Sequence, residues 1–136
     1  PNDRLLLNNI IYSLCLENKL EEAESFLKEI KKEDLISKNL TAICLTATQG
    51  LYFFRKGIPD AGRKFYLEAM KLAKEEGNTY LNSLAYVNYT REEILIAEEN
   101  VAELIPRLNE IVKYYDGKDI ADEARDVIEL FHKNKK

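Results

Sequence analysis

Asn18-Lys19-Leu20-Glu21-Glu22-Ala23 and Gly57-Ile58-Pro59-Asp60-Ala61-Gly62 are the two stretches that decide how this chain folds. Each lies between two segments whose apolar residues recur at helical spacing, so each reads as the turn of a helical hairpin. Glu21 and Glu22 are placed at the positive end of a helix dipole. Gly57 stops one helix, and Pro59 suits the first turn of the next, where a missing amide costs little.

Working outward from the turns, Leu6, Leu7, Ile10, Ile11 and Leu14 predict a first helix from about Asp3 to Glu17. Leu20, Ala23, Phe26, Leu27 and Ile30 predict a second that folds back on it. Ser37 or Asn39 caps a longer third helix with the stripe Leu40, Ile43, Cys44, Ala47, Leu51 and Phe54. The fourth runs from Pro59 through Phe65, Tyr66, Ala69, Met70 and Ala73 to Gly77. From Asn78 to about Glu98 apolar residues fall on more than one side, as in a helix packed between neighbours. Val101 to Tyr115 continues the helical period, with Pro106 expected to kink that helix or move its start. After Asp116-Gly117, the residues Ile120, Ala124, Val127, Ile128 and Phe131 define a seventh helix with a polar outer face. Gly50, inside the third helix, costs about 1 kcal/mol relative to Ala, which predicts that a neighbouring side chain packs there. No strand-like alternation competes, so the expected fold is all-α with about seven helices.

The paired turns, with Gly50 and Phe53 before the second and Tyr66 and Ala69 after it, resemble the tetratricopeptide repeat. Asn18 and Gly57 are 39 residues apart, and Gly57 and Asn100 are 43 apart. The family repeat is about 34 residues, so the resemblance is to members with longer first helices. The run from Glu68 to Asn78 followed by Leu81, Leu84 and Ala85 resembles those members in particular.

The resemblance is best over residues 5–35 and 43–77. It implies one domain, 1–136, forming a right-handed α-solenoid of antiparallel hairpins over about 3–33, 37–77 and 78–115, closed by a capping helix at about 118–133. In such a solenoid the first helices of successive hairpins line a concave groove that holds a peptide or helix. The inward residues it implies are Asn8, Asn9 and Tyr12, then Thr48, Leu51, Phe54 and Arg55, and, with Asn100 marking a third turn, Val87, Thr90, Arg91 and Ile94. Relatives that bind chaperone tails use Lys, Arg and Asn on these faces; this chain has Asn8 and Asn9 without the Lys, which disfavours that ligand.

Composition excludes several classes. A net charge of −4 opposes general nucleic-acid binding, whose affinity comes from a basic surface that releases phosphate counterions. The basic tail Lys133-Asn134-Lys135-Lys136 reads as solvated. No apolar run reaches membrane-spanning length, and no basic-then-apolar leader opens the chain. Cys15 and Cys44 sit in apolar helical stretches and read as buried thiols of a reducing compartment, giving a cytoplasmic expectation. Asn39-Leu40-Thr41 and Asn88-Tyr89-Thr90 match the glycosylation pattern by chance, since both fall inside expected helices. The chain starts Pro1-Asn2-Asp3 without Met, as expected of a processed product or a segment of a longer protein.

Nothing in the sequence assembles an enzyme, a metal site or a cofactor site. His132, the one histidine, has no partner at catalytic spacing. The two cysteines lie on different helices with no nearby ligand, and the five glycines fall singly rather than in a phosphate loop. The pairs Glu21/Glu22, Glu92/Glu93 and Glu98/Glu99 read as solvated helix surface. The expected function is therefore a protein-interaction scaffold that binds another protein or peptide. The alternatives are a regulatory or oligomerisation module of a larger protein, in which a homo-oligomer forms, and a small-molecule-binding helical bundle.

Overall fold

The computed structural model describes residues 2–97 and 100–134, with Asn2 as backbone alone. Among the described residues there are eight α-helices, one 3-10 turn and no strand. They are α1 (Asn2–Leu16), α2 (Leu20–Leu27), α3 (Lys32–Ile36), α4 (Leu40–Arg55), α5 (Pro59–Glu75), α6 (Thr79–Ile96), the 3-10 turn Val101–Leu104, α7 (Ile105–Tyr114) and α8 (Asp119–Asn134). The all-helical expectation holds. The expected count of about seven is corrected by α3, which the apolar stripe did not signal.

The chain divides into two compact units, Pro1–Ala85 and Tyr86–Lys136, the division falling within α6. In the first unit, both decisive turns close in the same way. Asn18 and Gly57 adopt left-handed backbone angles, with φ 59° and 87°. The next amide reaches back five residues in each case, Lys19 N–H to the Leu14 carbonyl and Ile58 N–H to the Phe53 carbonyl, both at 2.8 Å. Gly77, φ 69°, repeats the pattern with the Asn78 amide on Ala73. This left-handed closure satisfies carbonyls that the helix end would orphan. Asn78 and Asn39 then cap the following helices through side-chain oxygens that accept from the Leu81 and Ala42 amides. Of the two expected caps for α4, Asn39 serves; the Ser37 hydroxyl instead donates to the Glu33 carbonyl.

The α4–α5 hairpin is held by a reciprocal exchange of rings and glycines. A Cβ on Gly50 would come within 2.7 Å of the Tyr66 ring and 3.0 Å of the Gly62 carbonyl. A Cβ on Gly62 would come within 2.5 Å of the Phe54 ring. Each helix therefore sends an aromatic ring into the gap left by the other's missing side chain. The expectation that a side chain packs on Gly50 is met by Tyr66. Both rings are buried, 5.9 Å apart between centroids, and the Arg63 guanidinium lies over the Phe54 face at 6.0 Å. Phe53 and Phe65 stack alongside at 5.5 Å. Ile43, Leu72, Ala73 and Leu81 extend this core into the start of α6, with Cys44 and Leu84 packed against it. Burial raises the Cys44 thiol above its usual range, and both cysteines are free.

α4 also carries the elements before it, packing against α1, α2 and α3. The Tyr52 hydroxyl donates to Glu24 of α2 at 3.0 Å, and the Lys56 ammonium lies 3.9 Å from the same carboxylate. The expected second helix stops early, at Leu27. The chain then turns so that the Lys31 amide is capped by Asp34 at 2.8 Å, which starts α3. Arg4 of α1 reaches over to Asp34 at 3.0 Å and to the Glu29 carbonyl at 3.1 Å. The tertiary partner Arg4 and the local cap Asp34 thus fix a short helix after the turn, where apolar spacing signals none.

In the second unit, Pro106 moves a helix start rather than kinking a helix. Residues Val101–Leu104 form the 3-10 turn, and α7 begins with Pro106 in its first turn. The Tyr86 hydroxyl of α6 donates to the Leu104 carbonyl at 2.8 Å, and Arg107 covers the Tyr86 ring at 4.3 Å. Burial raises the Tyr86 hydroxyl above its usual range. α7 packs on α8, whose buried residues Ile120, Ala121, Ala124 and Val127 leave an acidic outer face of Asp119, Asp122, Asp126 and Glu129. This is the polar outer face expected of the last helix.

Two outcomes are expected. Gly62→Ala destabilises the protein by about 1–3 kcal/mol in urea denaturation, despite the better helix propensity of Ala, because the new methyl overpacks Phe54. Phe54→Leu in the same chain recovers part of that loss, and additive effects would disprove the exchange. The second concerns Asp34, whose carboxyl is held below its ordinary range first by the Lys31 amide and then by Arg4, against the opposing pull of burial. A depressed pKa stabilises the fold above the unfolded value and loses that contribution on acidification. Asp34→Asn therefore flattens the fall in stability below about pH 4 in an acid titration followed by circular dichroism.

Candidate partner-binding surface

The groove residues implied by the hairpin pattern divide into those the fold consumes and those it leaves accessible. Asn8 is buried, and its side-chain oxygen accepts a 2.7 Å hydrogen bond from the Thr48 hydroxyl, itself buried. These two residues, 40 positions apart, form a polar clasp between α1 and α4. Leu51 and Phe54 are core residues. Arg55, at the end of α4, is half-buried, with its guanidinium 3.4 Å from the Cys15 and Leu16 carbonyls and 3.5 Å from the Asn18 side chain. It therefore meets the negative end of the α1 dipole, where a cation is favoured. Tyr12 is half-buried and Asn9 is exposed.

The third-hairpin positions are in the second unit. Val87, Thr90 and Ile94 are buried, and Arg91 is half-buried, bonded at 2.8 Å to both Glu92 and Asn88. The solvated reading of Glu92 and Glu93 is corrected: they are 2% and 1% exposed. The signal was present in the sequence, because a helix with apolar residues on several sides has no wide polar face to offer them. Arg91 at the neighbouring position supplies Glu92 with a counter-charge, as a buried carboxylate requires. It also opposes the burial that raises the Glu123 carboxyl above its ordinary range. Glu98 and Glu99 lie outside the described residues. Glu21 and Glu22 are exposed, as is His132.

What remains accessible is the outward side of α1. Leu7, Ile11 and Cys15 point into the first unit, while Leu5, Leu6, Asn9, Ser13 and Leu16 occupy the opposite side. The three leucines there are 36%, 59% and 39% exposed. From Leu5 to Leu16 no side chain is charged at neutral pH, in a chain in which 32% of residues are charged. α5, by contrast, exposes Lys64, Glu68, Lys71, Lys74 and Glu75, while residues 39–54 along α4 and 77–90 along α6 are as free of charge as α1. The α1 surface is rigidly mounted, since Arg4, the Asn8–Thr48 clasp and Arg55 secure the helix at its start, middle and end.

Among the described residues, no group of three or more His, Cys, Asp or Glu side chains is arranged to hold a metal ion. No described helix is long and apolar enough to cross a membrane. No protein-family model, curated protein or solved structure matches this chain.

The clasp generates a testable outcome. Asn8→Ala or Thr48→Val alone costs about 1–3 kcal/mol, because each leaves a buried polar group unpaired. In a double-mutant cycle the combined variant is less destabilised than the sum of the two. Strict additivity in urea denaturation would show that the two groups do not bond.

Proposed function

We propose that this chain is a protein-interaction module of tetratricopeptide-like architecture, and that the outward side of α1 is where a partner binds. The observation that carries the reading is the uncharged, leucine-bearing surface of α1 on a helix anchored at three points. Exposed leucines without a charged side chain among them, on an anchored helix, suit a surface that another chain covers, because interface cores are depleted in charge. Interaction surfaces gain affinity from preorganisation, because little ordering entropy is lost on docking. The matching closures at Asn18 and Gly57 and the close α4–α5 hairpin support the repeat-like reading.

This reading moves the binding surface from the groove toward one helix. Of the implied groove residues, Asn9 and Tyr12 remain as contacts, while Asn8, Thr48 and Arg55 fix the helix that bears them. An amphipathic helix or a flat protein surface fits such a face, since both present apolar anchors at one-turn spacing.

The test uses partners identified by cross-linking in cells and then purified. Leu6→Glu combined with Leu16→Glu weakens binding at least about tenfold, equivalent to about 1.4 kcal/mol, with the circular dichroism spectrum unchanged. A partner bound as tightly by the variant as by the native chain would overturn the assignment of this face.

A further inference from the structure

We propose that Asp116-Gly117, in the turn between α7 and α8, is a site of spontaneous backbone isomerisation that converts Asp116 to isoaspartate, and that Arg125 restrains it. The chemistry needs a carboxylate beside a backbone amide that is uncrowded and not engaged elsewhere. Asp116-Gly117 is the one place in the sequence where glycine follows Asp or Asn.

The turn supplies both conditions. The Asp116 side chain is 81% exposed. Gly117 has a left-handed φ of 84°, and a Cβ built there would meet nothing, so the approach to its amide is open. Among the described residues nothing accepts a hydrogen bond from that amide. The other left-handed glycines differ, since the Gly57 and Gly77 amides donate to the Phe54 and Lys74 carbonyls at 3.1 Å. Here the turn is closed one residue later, by the Lys118 amide on the Tyr115 carbonyl at 2.9 Å. Asp122 is a built-in contrast. Its side chain is 70% exposed and pairs with the same Arg125, but it lies within α8, where the next amide belongs to the helix ladder.

The reacting groups are adjacent in one chain, so the step is intramolecular. The Gly117 nitrogen gives up its proton and bonds to Asp116 Cγ. One carboxyl oxygen leaves as water, taking that proton and one from solvent, and a neutral cyclic imide remains. Water then adds to either imide carbonyl. Breaking the new N–Cγ bond regenerates Asp116, whereas breaking the original peptide bond leaves the main chain running through Cβ and Cγ. The isoaspartate so formed carries its carboxylate on Cα and lengthens by one carbon the connection between two helices that pack together. Arg125 Nη2 lies 3.2 Å from the Asp116 carboxylate. That ion pair is lost when the neutral imide forms, so it favours the starting state.

The test holds the folded chain at physiological temperature and pH for weeks and then digests it with trypsin, which cuts after Lys113, Lys118 and Arg125. Peptide 114–118 resolves into two components of equal mass, and the newer one accepts a methyl group from S-adenosylmethionine through an isoaspartyl carboxyl methyltransferase. Peptide 119–125, which contains Asp119 and Asp122, stays single. Asp116→Glu abolishes the second component, because the larger ring that glutamate requires closes far more slowly. Arg125→Gln raises the rate about two- to fivefold, the worth of one exposed ion pair. A peptide 114–118 that stays single overturns the proposal, as does isomerisation of peptide 119–125 at the same rate. An unchanged rate in Arg125→Gln overturns the restraint by that residue.

Discussion

The first unit depends on how closely α4 and α5 approach. Two glycines, Gly50 and Gly62, permit it, and two rings, Tyr66 and Phe54, fill the space they leave. Leucines at these sites would hold two helices 8–10 Å apart in the ordinary way. Glycine weakens a helix, and here that local cost is offset by burying two aromatic side chains against backbone. Because α4 also packs against α1, α2 and α3, the hairpin serves as the mount for every earlier element of the unit. The residues at the end of α4 show this economy: Tyr52 and Lys56 engage α2 while Arg55 engages the end of α1.

Most helix boundaries were legible in the sequence because they rest on local backbone chemistry. Asn18, Gly57 and Gly77 end helices through left-handed angles, and Pro59 and Pro106 can occupy a first turn without losing a bond. These signals need no tertiary partner. The division of residues 20–36 into two helices was not legible, because it depends on Arg4 reaching a carboxylate 30 residues away. Apolar spacing runs on to Ile30, past the end of α2 at Leu27, and signals no helix over residues 32–36.

The candidate surface was legible only in part, for a related reason. A helical wheel says which residues share a side of α1 or α4 but not which neighbour takes that side. Asn8 and Thr48 both read as inward-facing polar residues, and each satisfies the other. Arg55 reads as an inward-facing groove residue, and it meets the carbonyls of another helix instead. In α6 the same ambiguity ran the other way, with Glu92 and Glu93 reading as surface and lying buried. Polar side chains thus proved harder to place than apolar ones, because water, a backbone carbonyl and a distant hydroxyl satisfy them equally well. The missing charge along α1 is a different kind of signal. It is a run of residues without charge, readable in the order of the chain, while the side of it that stays exposed is set by what α1 packs against.

The ring and glycine exchange also carries a kinetic consequence. A ring lying on a glycine Cα cannot rotate about its axis unless the backbone beneath it moves away, since no flexible side chain is there to yield. Half-turns of Phe54 and Tyr66 are therefore gated by transient separation of α4 from α5. The exposed ring of Tyr114, in the other unit, turns without such a gate. The two buried aromatics are thus built-in clocks for the breathing of the hairpin, on the microsecond-to-millisecond scale of collective helix motion.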